Sequence, residues 1–192
     1  MNYKNRKFLL RNSFLILLAL GITSRQAAEN KTVLPKLKIS EGKVLFRSEA
    51  PQEEIYGSGS SVSGEVDPQT GSVQIFIDIR DYKTGNHLRD AHMHENYLES
   101  DLFPKASFVG KISSYDPQSG KVAALGTFQF HGQQKENFKI EGILSPENRK
   151  FRLTSSFFIL LEDYKIEIPK LLIFKLNNKV EVKTDFLLEP SE

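Results

Sequence analysis

From Lys36 onward the chain is written in short alternating runs, each closed by a turn signal roughly 8–12 residues on, and this punctuation leaves few folds open. In Ser72–Arg80, Val73, Ile75, Ile77 and Ile79 fall on one face, while Gln74, Phe76, Asp78 and Arg80 fall on the other. A period of two marks a strand with one buried side. The same alternation returns in Ala106, Phe108, Gly110 and Ile112, in Ala124, Gly126, Phe128 and Phe130, and in Phe138, Ile140 and Gly142. It returns again in Phe151, Leu153, Ser155 and Phe157, and lastly in Val180, Val182, Thr184 and Phe186. Asp67–Gly71, Tyr115–Gly120, His131–Gln134 and Ser145–Asn148 supply Pro, Gly and Asn at the breaks. The pattern predicts an all-β antiparallel meander of about eight strands, closed as a barrel or sandwich, with no internal domain boundary.

Two places invite a more local reading. Leu37 and Ile39, then Val44, Phe46 and Ser48, flank Glu41-Gly42, which reads as a hairpin turn. Gly57-Ser58-Gly59-Ser60-Ser61 resembles a phosphate-cradling loop only in composition. No GK[ST] follows it and no helix pattern begins there, so it predicts a bulged or twisted strand.

The meander is interrupted once. Between Asn86 and Lys111 lie three of the four histidines, His87, His92 and His94, and here the period changes. Met93 and Tyr97 stand four apart with Leu98 beside them, which suits one apolar face of a short helix near residues 89–100. Pro104 ends the insertion, and Glu162-Asp163-Tyr164 predicts a second loop or short helical segment.

The N-terminus speaks to compartment. Lys4, Arg6, Lys7 and Arg11 precede an apolar run from Phe14 to Ile22 that is short for a bilayer span. This is the layout of a secretory signal, taken as residues 1–28, leaving 29–192 as one exported domain, periplasmic or secreted. Setting aside the five basic residues of 1–28 turns the formal charge from +2 to −3. A basic footprint for nucleic acid is therefore lacking. The absence of cysteine excludes disulfides, thiolate metal sites and a lipoprotein anchor.

If the more apolar face points inward, the lining is Val73, Ile75, Ile77, Phe108, Phe128, Phe130, Phe138, Ile140, Phe151, Leu153 and Phe157. Small residues on that face, Ala106, Gly110, Ala124 and Gly126, either leave room for a ligand or mark bends in strongly coiled strands.

Thr84-Gly85-Asn86-His87-Leu88-Arg89-Asp90-Ala91-His92, then Tyr97-Leu98, then Pro104-Lys105-Ala106-Ser107-Phe108, resembles the central signature of the YceI-like family. There a strand enters a T-x-N-x-x-R-D-x-H helix start, followed by an aromatic/apolar pair and P-x-(I/A)-x-F. Phe128–Lys135 is similar to its second signature, an apolar strand entering H-G-x-x-K, and Phe158, Asp163-Tyr164 and Ile168-Pro169 fit its ending. The resemblance runs from about Lys38 to Leu188. It implies an extended lipocalin-like barrel whose hydrophobic tunnel holds a polyisoprenoid or quinone-type lipid; beside the apolar lining, Arg89, His92 and His131 are the polar candidates for ligand binding. Transient membrane contact and a homodimer are further expectations. Gln134, where the family often has Thr, and the polar His92–Glu95 run depart from the pattern.

The residues leave alternatives open. His92, His94, Glu95 and His131 are of metal-ligating type, although i and i+2 on a helix do not converge. His92 also reads as a group hydrogen-bonded to backbone at the barrel rim, and His131 as a turn residue or part of the mouth. Arg89-Asp90 reads as a structural ion pair or helix-start device, or as a phosphate contact. G-x-S-x-G, H-E-x-x-H and P-loop motifs are absent, so neither an enzyme nor a cofactor is expected. The third alternative is an interaction module whose barrel is filled by its own side chains.

Overall fold

A computed structural model describes residues 34–49, 54–167 and 177–191. The proposed signal segment, and the Ile168-Pro169 part of the family ending, lie outside them. Among the described residues nine strands follow one another: β1 Leu37–Glu49, β2 Glu54–Gly59, β3 Val62–Asp67, β4 Ser72–Asp78, β5 Lys105–Tyr115, β6 Lys121–Phe130, β7 Gln133–Glu147, β8 Lys150–Leu160 and β9 Lys179–Pro190. All neighbours are antiparallel, and β1 pairs with β9 from Leu37↔Pro190 to Ser48↔Val180. That pairing turns the meander into a closed eight-stranded barrel with one extra strand.

The extra strand is β2. It pairs with β1 from Val44↔Gly59 to Glu49↔Glu54, while β3 pairs with β1 at Leu37↔Val66 and Lys38↔Glu65. The two registers agree, so β2 prolongs the line of β3 along β1. The break between them falls at Ser60-Ser61, where the Asp81 carboxylate accepts from both backbone N–H groups at 2.7 and 2.8 Å. The glycine/serine run is thus an interrupted strand.

The expected hairpin at Glu41-Gly42 is overturned. β1 runs straight through, and its register with β9 shifts between Ile39 and Glu41, so that Ser40 is the extra residue of a bulge. The bulge re-aims the alternation from Leu37 to Val44, both buried. The strand expected to reach Arg80 ends at Asp78. The Asp78 carboxylate accepts from Arg80 N, and Ile79–Asp81 close into a 3₁₀ turn with Ile79 buried.

The insertion forms as predicted in kind. Helix α1 spans His87–His92, with the Asn86 side chain accepting from Arg89 N at its start. It continues through a π-type turn, Met93–Tyr97, whose Leu98 N–H donates to Met93 O at 2.8 Å. The second helical segment is Leu161–Tyr164. Leu37, Val44, Val73, Phe108, Phe128, Phe186 and Leu188 share one core with Tyr164, the largest fully buried side chain.

Gly110 and Gly126 decide what small inward residues are for. They face each other across β5 and β6, and a Cβ on Gly126 would collide with Val109 O and Gly110 Cα. These glycines permit close strand approach at a bend, whereas Ala106 and Ala124 line open space.

Candidate functional site

The barrel interior is not filled by its own side chains. Among the described residues it encloses cavities of about 380 and 400 Å³, which share Ile77, Phe128 and Phe157 in their walls. Volumes of this order suit small-molecule ligands. The lower chamber lies at the end where β1 meets the end of β9, with Leu37, Val73, Ile75, Phe108, Ile140, Leu153 and Leu188 around it. Its polar wall groups include Ser155 and Thr184, whose hydroxyls bond each other at 2.7 Å and so satisfy one another. The upper chamber lies under α1, between Phe46, Ile79, Phe130, Ile159 and Val182 and the helical Met93, Tyr97 and Leu98.

The wall between the chambers is aromatic. Phe128 stands edge-on to Phe157 at 6.0 Å, stacks on Phe138 at 5.1 Å and meets the edge of Tyr164 at 5.7 Å. Burial pushes the Tyr164 hydroxyl up to about 12, helped by the nearby Asp163 charge. The Tyr82 hydroxyl, in the upper wall, is pushed up for the same leading reason, desolvation.

At the mouth, Thr84 organises the start of α1. Its hydroxyl donates to Asp90 at 2.6 Å and accepts from Arg89 Nε at 3.0 Å, while its N–H also reaches Asp90 at 2.7 Å. Burial works to raise the Asp90 carboxyl, but the hydrogen bonds from Thr84 prevail and hold it below the usual range. Arg89 and Asp90 therefore meet on a shared hydroxyl as a helix-start device. Ser48, Thr84, Asn86, Arg89, His92 and Glu167 belong to the polar part of the upper lining.

Of the expected lining residues, Val73, Ile75, Phe108, Ile140 and Leu153 border the lower chamber and Phe130 the upper, while Ile77, Phe128 and Phe157 border both. Arg89 and His92 border the upper chamber. Three placements differ. Phe138 packs behind Phe128 rather than on the cavity, and Phe151 packs against the core outside both chambers. His131 is no mouth residue. It is 6 % exposed, its Nδ1 donates to Tyr164 O at 2.9 Å, and its Nε2 lies 2.9 Å from Glu99 Oε2. Nor is His92 a capped rim group, since it is exposed on α1 and makes no side-chain capping bond.

The ring nitrogens of His94 are engaged too, with Ser100 Oγ at 3.0 Å and Tyr82 O at 2.9 Å. Among the described residues no three His, Asp or Glu side chains gather as a metal site. The sequence reading missed Val44, Phe46, Ser48, Phe186 and Leu188, all lining residues from β1 and β9. The signal was present, because each lies on an alternating run ending in a pairing that only the closed barrel reveals.

A closed antiparallel barrel with a divided apolar interior and one short helix over an end defines a class of β-barrel binding folds. The chain belongs to the YceI-like domain family, whose model matches residues 37–188. Solved structures share the fold at low identity. A polyisoprenoid-binding domain from Saccharophagus degradans is 14% identical, with a TM-score of 0.67, covering 82% of this chain and 100% of that one. Burkholderia cenocepacia BcnA is 16% identical, with a TM-score of 0.65, covering 76% of this chain and 95% of that one. A Campylobacter jejuni YceI protein is 13% identical, with a TM-score of 0.55, covering 100% of this chain and 92% of that one. A search of curated protein sequences found no match.

Proposed function

We propose that this protein is an exported carrier that holds a long isoprenoid-type lipid inside its barrel. The observation that carries the reading is the pair of apolar chambers meeting at Phe128 and Phe157, which together follow the barrel from the β1–β9 end to the helix. An apolar space of this kind suits a flexible apolar molecule, because burying each methylene contributes about 0.8 kcal/mol. The likeness to the polyisoprenoid-binding domain from Saccharophagus degradans supports the same ligand class. Export rests on the basic and then apolar start of the sequence. Leu88, 68% exposed at the upper mouth, offers a contact for loading at a membrane surface.

The test is native mass spectrometry of purified residues 29–192, followed by organic extraction and lipid analysis. A co-purifying prenyl lipid, or uptake of an added one, is the expected result. A protein that arrives empty and refuses every prenyl lipid offered is not a carrier of this kind.

A further inference from the structure

Ser48 sits at the end of β1 between Val180 of β9 and Ile55 of β2, and all three line the upper chamber. It is 4% exposed, and its hydroxyl has no hydrogen-bond partner among the described residues. Buried hydroxyls are satisfied as a rule, and leaving one bare is unfavourable. The contrast with the lower chamber is informative, since there Ser155 and Thr184 satisfy each other. The polar groups nearer the helix are also committed: Thr84 to Asp90 and Arg89, and Asn86 Oδ1 to Arg89 N. Among the described residues three buried side-chain polar atoms lack a partner, Ser48 Oγ, Asp81 Oδ1 and Tyr164 Oη, and of these Ser48 alone borders a chamber, in a wall of Val44, Phe46, Ile159 and Val180.

We infer that Ser48 Oγ is a ligand-binding donor, and that the molecule carried in the upper chamber places a neutral oxygen, a carbonyl or a hydroxyl, against it. The inference rests on the carrier reading and narrows it to the chemistry of one end of the ligand. A neutral oxygen accepts from the hydroxyl at ordinary hydrogen-bond length and completes the wall. A phosphate or diphosphate held against Ser48 would bring charge beside Val44, Phe46, Ile159 and Val180 with one neutral hydroxyl to receive it there, which is far more costly than leaving the hydroxyl bare. A plain hydrocarbon end would leave Ser48 unsatisfied. The upper chamber therefore discriminates by head-group chemistry, while the lower chamber, internally satisfied, accepts chain.

The experiment compares wild type with Ser48→Ala, using four probes of equal chain length: a prenylated benzoquinone, the free prenol, the prenyl diphosphate and the unfunctionalised hydrocarbon. Affinities are read by displacement of a fluorescent lipid, and thermal midpoints are measured without ligand. Ser48→Ala is expected to weaken the quinone, the prenol or both by roughly 5–50-fold and to leave the hydrocarbon unchanged. Which oxygenated probe suffers identifies carbonyl or hydroxyl. The empty variant is expected to melt no lower than wild type, because it loses an unpaired polar group; a structural hydroxyl would show the opposite. Equal affinity of both proteins for the oxygenated probes, with the hydrocarbon still bound, overturns the role of Ser48 and leaves the carrier standing. Selective binding of the diphosphate, lost in Ser48→Ala, overturns the neutral-oxygen assignment. Failure of all four probes to bind wild type overturns the carrier reading itself, and the inference with it.

Discussion

His131 Nε2 lies 2.9 Å from Glu99 Oε2, and both residues hold positive φ, +47° and +42°. Left-handed backbone is uncommon outside glycine, so two such residues bonded to each other mark a joint that neither would adopt alone. The other ring nitrogen donates to Tyr164 O. One imidazole thus ties the end of the helical insertion, the β6–β7 turn and the Leu161–Tyr164 segment together. Glu99→Ala should speed amide exchange across residues 93–100 while leaving the β5–β8 amides protected. The expected loss of local stability is on the order of 1 kcal/mol, because Glu99 is partly exposed. Unchanged exchange there would show that the insertion is held by its apolar face alone.

Phe128 is the hub of the dividing wall and is 6% exposed. Phe128→Ala should merge the chambers and lower unfolding stability by about 3–5 kcal/mol in a denaturant titration. Binding of a long prenyl probe should survive better than the stability does, since the cavity grows. A variant losing less than about 1 kcal/mol would mean that the rings collapse into the gap.

Gly126→Ala tests the bend. The added methyl meets Val109 O and Gly110 Cα, backbone atoms that no rotamer change can move. A loss of about 1–3 kcal/mol in a thermal or chemical melt is expected. The nearby Ala124→Gly, on an open wall, serves as the comparison and should alter the cavity rather than the strand pairing.

Acid should loosen the loops before the barrel. The Arg80 side chain, hydrogen-bonded to Asp78, holds its carboxyl down to about 2, from an ordinary 3.8. Hydrogen bonds from Ser119 and from Gln69 N lower Asp116 and Asp67 in the same sense. Because these groups are more acidic folded than unfolded, the folded state binds fewer protons over this range. Their contribution is therefore full above about pH 4 and is lost as pH falls toward 2. Stability measured across that window should fall, and Asp78→Asn should flatten part of the fall. A profile identical to wild type would remove Asp78 from the account.

Strand order and inward faces were legible because alternation and turn chemistry are local, and β4 to β8 carry both. The bulge at Ser40 was not, because Glu41-Gly42 suits a turn equally well. What decides it is β9, which pairs with β1 some 150 positions later in the chain. His131 illustrates the same limit at the site. Its turn role is written in His-Gly-Gln-Gln, but its burial depends on Glu99 and on Tyr164 O, more than thirty residues away on either side. Ser48 stood in plain sight on an alternating run. Only the loss of every partner for its hydroxyl, a property of the assembled wall, singles it out.

The pairing of β1 with β9 sets the ends of the described barrel side by side. Leu37 is opposite Pro190, and Ser191 donates to Lys36 O through both its N–H, at 2.8 Å, and its hydroxyl, at 2.9 Å. In topological terms the ladder is a ring with an arbitrary cut. A short linker from 191 to 36 would let the cut be moved to an exposed turn such as Asp116–Gly120, giving a circularly permuted barrel with the same register throughout. Handles attached at the native ends of the described barrel emerge together at the lower chamber, the end away from α1, so a surface tethered there leaves the mouth beneath the helix facing outward.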